Sequence, residues 1–311
     1  MNLHSNFIKF NDTIKLSSSK ADNLKTSRDA LRKDIRNWFL EKDKKQPKFC
    51  WQGSFAMKTT INPISDDYDL DDGIYLQGYS NDEEKWPSTT TVHNWVKTAT
   101  DERTSVISTD KNTCVRVNYA DGYHIDLPIY IMKDDEPYLA HKSNGWMLSD
   151  PKAFTDWFIG EINENDEQLR RLVRYLKAWK DYKNIPLKSI EITILVAENF
   201  DEYDNRDDKA LLSTTEKICN ILNEKFSCVK PVAPGEDLFE GISDTKKSKI
   251  ISSLTTLKND LSSAISEDND ETATELLQNL FGKRFPKIEN INKSYAVTSL
   301  PGVLKHDGRS G

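Results

Sequence analysis

The chain of 311 residues contains no run of 18 apolar residues, and its first ten, MNLHSNFIKF, hold no apolar block of signal-peptide length. Neither a membrane span nor a secretory leader is expected, and the chain reads as cytoplasmic. Cysteine is scarce: Cys50, Cys114, Cys219 and Cys228 are scattered with no C-x-x-C pair, the pattern of reduced thiols rather than a disulfide frame or zinc site. The five histidines are equally dispersed, so a His/Cys metal cluster is not expected. Positive charge is in deficit, with 43 Lys and Arg against 50 Asp and Glu for a net charge of −7. Proteins whose main task is gripping a nucleic-acid backbone are usually basic over the binding face, so the overall field points elsewhere. Internal repeats are lacking, and the one biased tract is the acidic SEDNDET. What is present, 37% apolar and 30% charged residues, suits a soluble globular chain long enough for one bilobed unit or two domains.

The stretch 49–76, FCWQGSFAMKTTINPISDDYDLDDGIYL, organises the rest. It predicts a strand over 49–52, a tight Gly53-Ser54 turn, a short amphipathic segment and a second apolar strand carrying Asp69 and Asp71. Side chains alternate along a strand, so D-x-D spacing puts both carboxylates on one face, where their repulsion calls for a cation. Asp72 points the other way and reads as a turn residue before Gly73. Unpaired amides at the Gly-Ser turn suit an anion. Phosphate cradle and paired acids together suggest a nucleoside triphosphate.

Upstream, apolar spacing predicts helix over 4–45, interrupted at SSSKAD. Downstream, 78–90 reads as a loop and 91–101 as a helix. NTCVRVNY and YHIDLPIYIM form a predicted hairpin around Ala120-Asp121-Gly122. Asp126 interrupts the second of these runs, and an acid inside an apolar strand must be paired or metal-bound. Arg116, on the preceding strand, reads as a member of a structural ion pair or as a nucleotide contact. Asp150 before Pro151 is a candidate helix cap. From 163 the chain reads as helical, clearest in NDEQLRRLVRYLKAWKDYK, where Arg170, Arg174 and Lys177 form a cationic row. KSIEITILVAENF fits either a strand or a helix.

QGSF, YDLDDG and HIDLP, in that order, resemble the nucleotidyltransferase signature of the polymerase-β superfamily. With SDPKAFTDWF and LRRLVRYLKAWK downstream, the chain is similar to the bacterial cGAS/DncV-like nucleotidyltransferases (CD-NTases), and more distantly to animal oligoadenylate synthetases. The resemblance implies an α+β fold: a mixed-sheet nucleotidyltransferase lobe with N-terminal helices (1–160), an α-helical lobe (161–286), a central cleft, and a flexible tail (287–311). It makes the KSIEIT segment helical. It implies that Asp69, Asp71 and Asp126 are catalytic and bind two Mg2+ ions, with Mn2+ as a substitute. Gln52, Gly53, Ser54, Arg174, Lys177 and Ser189 would contact nucleotide or phosphate, although Gln52 also suits a strand end and Ser54 a helix cap. The implied reaction builds cyclic di- or tri-nucleotide messengers from ATP and/or GTP, with pyrophosphate release, in antiphage (CBASS) defence. An inert nucleotide-binding scaffold or a linear nucleotide-adding enzyme are the rival readings. Implied partners are operon-encoded regulators or a ubiquitin-ligase-like protein acting on the C-terminal Gly311. The zinc thumb of animal cGAS has no counterpart in these dispersed His and Cys residues, so duplex DNA is not expected as an activator.

Overall fold

The helical spacing over 4–45 resolves, in a computed structural model that describes residues 1–288, into α1 (His4–Ile14) and α2 (Ser18–Glu41). Ser17 divides them because its backbone is extended and its hydroxyl accepts from the Lys20 amide, capping α2. The two helices serve different cores. α1 buries Phe7, Phe10 and Ile14 among helices, with Phe7 edge-on to Tyr175 and Phe285 at 5.1 Å in each case. α2 lays Leu24, Leu31, Ile35 and Phe39 against a sheet.

That sheet starts with β1 (Lys48–Gln52), which leads through the single turn α3 (Gly53–Ala56) to β2 (Asp69–Leu76). After α4 (Thr89–Thr100) come β3 (Thr109–Asp110), β4 (Val115–Asn118), β5 (His124–Leu127), β6 (Ile129–Lys133), β7 (Glu136–His141) and β8 (Gly145–Leu148). β1 is antiparallel to β2, while β5 and β6 both run parallel to it. Asp71 pairs with Asp126 and Ile74 with Ile129, so β5 and β6 follow one register, interrupted at Pro128, which has no N–H to give the ladder. The hairpin expected around Ala120-Asp121-Gly122 forms between β4 and β5.

Asp72 is a correction to the sequence reading. It is not a turn residue before Gly73, because β2 continues through Leu76. Its buried carboxylate takes both branches of the Arg32 guanidinium from α2, including Nε at 2.7 Å, on the face away from Asp69 and Asp71.

Asp150 accepts the Ala153 amide at 2.8 Å and opens α5 (Pro151–Lys183), which breaks helical geometry at Asp166. The boundary expected near residue 160 therefore falls inside a helix. α6 (Ser189–Glu198), α7 (Asp207–Glu224), α8 (Asp244–Ser266) and α9 (Asp270–Phe281) complete the helical layer. α6 is buried almost all round, which is why its apolar residues show no helical stripe in sequence. Ile288 donates its amide to Thr274 Oγ1 at 3.0 Å. The remainder of the predicted tail, Gly311 included, lies outside the described residues. Among the described residues no helix is long and apolar enough to cross a membrane.

Removing Arg32 would leave the Asp72 carboxylate buried without its counter-charge. Arg32→Ala is therefore expected to cost about 3–5 kcal/mol in urea unfolding, and Asp72→Asn in that background is expected to restore part of it. A cost under about 1 kcal/mol contradicts a structural role for the pair.

Candidate active site

Parallel pairing of β2 with β5 sets Asp69 opposite His124 and Asp71 opposite Asp126. Because alternate residues share a face, all four side chains project to one side of the sheet. Donor atoms of Asp69, His124 and Asp126 lie within 4.8 Å of one another. Asp126 is held by Arg116 of β4, whose Nε and Nη2 each reach a carboxylate oxygen at 2.7 Å. Of the two readings of Arg116, the ion pair is the one observed.

Loss of hydration pushes the Asp71 carboxyl well above the usual carboxylate range, and the charges of Asp69 and Asp126 push the same way. Asp69 is raised as well, first by lost hydration, with the neighbouring Asp126 adding to it and His124 opposing. Hard oxygen donors that repel one another at close range fit a divalent cation.

Gly53 meets this cluster directly. Its φ of +68° is open to glycine, and an added Cβ would lie 2.3 Å from Asp71 Oδ2. Ser54 sits inside α3 rather than capping it, and its hydroxyl shares a hydrogen bond with Thr60 Oγ1 at 2.9 Å. Gln52 is buried and donates from Nε2 to the Tyr130 hydroxyl at 3.0 Å. Facing this loop across a cleft are Lys177 of α5 and Ser189 at the start of α6. The cleft comprises two adjoining cavities of about 330 and 350 Å³, and Ser54, Asp69, Lys177 and Ser189 line both. Gln52, Gly53 and Asp71 line the second of them.

The cationic row of α5 takes hold of the chain just past α3. Arg170 Nε donates to Met57 O at 3.0 Å, Arg174 Nε to Lys58 O at 3.1 Å, and Lys177 Nζ to Thr59 O at 3.2 Å. Lys177 is buried, which lowers its pKa to about 7, partly offset by the charge of Asp69. Arg174 is the expected phosphate contact that the fold keeps out of the cleft. It also donates to Asn11 Oδ1 at 2.9 Å and borders a different pocket, with Lys15, Lys25, Trp51 and Phe55. Residues three apart on a helix differ by about 60° in direction, enough to put Arg174 and Lys177 on either side of the 57–59 segment.

Lys180 and His124 are residues that the sequence reading missed. Lys180 lines the cleft one turn after Lys177, a spacing that was visible. His124 reaches the acids although the histidines are dispersed in sequence. The cue was the H-x-D spacing on β5, which places His124 and Asp126 on one face.

Comparison with known proteins gives a consistent result. A family model described as the nucleotidyltransferase domain of DncV-like cyclic GMP-AMP synthases matches residues 47–130, and one for the C-terminal domain of cyclic GMP-AMP synthase matches 166–294. Together they take in more than half of the chain. A cyclic GMP-AMP synthase of Escherichia albertii is 28% identical over 273 residues, which are 83% of this chain and 59% of that protein. The chain thus spans less than two thirds of that relative's length. A cyclic GMP-AMP synthase of Escherichia coli is 25% identical over 316 residues, 81% of this chain and 71% of its own length. The crystal structure of Vibrio cholerae DncV cyclic AMP-GMP synthase with nonhydrolyzable GTP shares the fold. Its TM-score is 0.80 at 21% identity, covering 92% of this chain and 97% of that one.

A carboxyl with a raised pKa keeps its proton in the native state over a pH range where the unfolded chain, titrating near 4, has lost it. Metal-free stability should therefore fall as pH rises from about 4 through the elevated Asp71 value. Asp71→Asn removes that ionisation and is expected to raise the Tm in EDTA at pH 7, with the gain disappearing near pH 4. A gain that is absent at pH 7, by calorimetry, would contradict the burial cost assigned to Asp71.

Proposed function

The chain belongs to the DncV-like nucleotidyltransferase family, and we propose that it joins ATP and GTP into a cyclic dinucleotide with release of pyrophosphate. The observation that carries this reading is one cleft lined by Asp69 and Asp71 beside the Gly53-Ser54 turn and faced by Lys177, Lys180 and Ser189, with Asp126 directly opposite Asp71 on the neighbouring strand. The choice of ATP and GTP leans on the relatives, which are named cyclic GMP-AMP synthases.

In each transfer a 3′- or 2′-hydroxyl adds to an α-phosphorus, the bond to the α–β bridging oxygen breaks, and pyrophosphate leaves with its electron pair. A second transfer from the other ribose closes the ring. Asp69, Asp71 and Asp126 would hold two Mg2+ ions, which when bound neutralise charge on the attacking and leaving oxygens of an in-line displacement. Asp126, fixed by Arg116, would receive the acceptor hydroxyl's proton or orient that hydroxyl. Lys177, Lys180 and Ser189, with the amides of Gly53 and Ser54, would take the outer phosphates. Burial disfavours the charged form of Lys177, so an incoming triphosphate would favour its ammonium.

The lobes divide near residue 160 in this proposal, with α1 lending its apolar side to the helical lobe. The product would serve as a second messenger in antiphage signalling of the CBASS type, and the acidic net charge supports catalysis without duplex DNA.

Incubation with all four NTPs and Mg2+ is expected to yield a cyclic product containing one adenosine and one guanosine by mass spectrometry, with turnover at background in Asp69→Asn/Asp71→Asn. Linear products alone, or bound nucleotide without pyrophosphate release, would overturn the assignment. Lys180→Ala is expected to raise the KM for NTP about tenfold, the loss of one charge-assisted phosphate contact. An unchanged KM removes Lys180 from the phosphate site.

A further inference from the structure

We propose that His124 is a nitrogen donor to the divalent cation held by Asp69 and Asp126, making the centre a mixed imidazole–carboxylate site that prefers Mn2+ to Mg2+. The inference rests on the nucleotidyltransferase reading and adds a ligand and a metal preference to it.

Two features of His124 carry the argument. The first is its orientation. Nδ1 lies 2.8 Å from Asp67 Oδ1, a contact that puts the ring proton on Nδ1 and leaves the Nε2 lone pair facing the acids. The second is the state of that nitrogen. His124 is 6% exposed, and its buried Nε2 has no hydrogen-bond partner among the described residues. Buried polar atoms are normally satisfied, so an orphaned one aimed into a group of carboxylates calls for a missing partner.

Distance identifies the kind of partner. Nε2 is 3.8 Å from Asp69 Oδ2, beyond a hydrogen bond but suited to two donors sharing one ion. Bonds of about 2.0–2.2 Å place such donors roughly 3–4 Å apart. Register fixes the arrangement, since Asp69 is the direct cross-strand partner of His124 and Asp126 follows two residues later on the same face. A carboxylate behind a metal-bound imidazole is the usual way of setting its tautomer, which makes Asp67 a positioning residue acting through His124.

The donor set decides the metal. Mg2+ holds to oxygen ligands and parts with water reluctantly. One imidazole nitrogen among carboxylates shifts the balance toward first-row transition dications, of which Mn2+ also tolerates the oxygens.

The test uses Mn2+ alone, titrated into the full chain and examined by pulsed EPR, with and without 15N-histidine labelling. The expected result is a 14N coupling in the wild type that changes to 15N on labelling and is lost in His124→Gln and His124→Asn. Two variants guard against one failing to fold, as checked by circular dichroism. The preference for Mn2+ over Mg2+ should fall about tenfold in the same variants, and Asp67→Asn should weaken Mn2+ binding about tenfold while keeping the coupling. Mn2+ binding that depends on Asp69 but shows no histidine nitrogen, or a coupling that survives both His124 variants, overturns the proposal and leaves the catalytic assignment standing. Absent binding, or binding indifferent to Asp69→Asn, overturns both.

Discussion

Three cations on one face of α5 hold three consecutive carbonyls, those of Met57, Lys58 and Thr59, and the cleft depends on that grip. The segment they hold connects the Gly53-Ser54 turn to the acids of β2. Held there, Gly53 stands so close to Asp71 that no side chain would fit between them. The grip also joins the helical layer to the sheet, since α5 lies in one core and β2 in the other. It is bought with desolvation, visible in the lowering of Arg174 to about 10 and of Lys177 to about 7.

The acids opposite impose the reverse strain. Asp69, Asp71 and Asp126 lose hydration and repel one another, and among the described residues Arg116 alone makes a paired salt bridge with any of the three at hydrogen-bond distance. Such a cluster works against folding unless something else favours it, and sites of this kind concentrate where chemistry is done. The neighbouring Asp72 gives the contrast. One residue along the strand it faces the opposite side, finds Arg32, and becomes part of the scaffold.

The two ion pairs and the grip show how similar charges acquire different work. Arg116 and Arg32 each neutralise one carboxylate with a bidentate fork, whereas Arg170 and Arg174 turn their Nε donors to backbone oxygens. Lys177 and Lys180 are the basic side chains of α5 that border the cleft, and Lys177 shares its ammonium between the loop and the cavity.

Period-two alternation was enough to put Asp69 with Asp71 and to separate Asp72, and the Asp-Gly signal was enough for the hairpin that carries Asp126. Cap chemistry at Asp150 and the apolar stripe of α5 were equally legible, because each is a local property of a few neighbouring residues. Which cation faces the cleft was not: Arg174 and Lys177 look alike on a helical wheel, and the path of residues 57–59 between them decides. The strand-or-helix ambiguity of α6 had the same origin, since a segment buried on every side carries no periodic signature. His124 is the clearest case. Its spacing from Asp126 was in the sequence, but its place beside Asp69 arises from the parallel pairing of β2 with β5, a contact between segments more than fifty residues apart. Local alternation sets the face on which a side chain projects, whereas long-range register sets what it meets there.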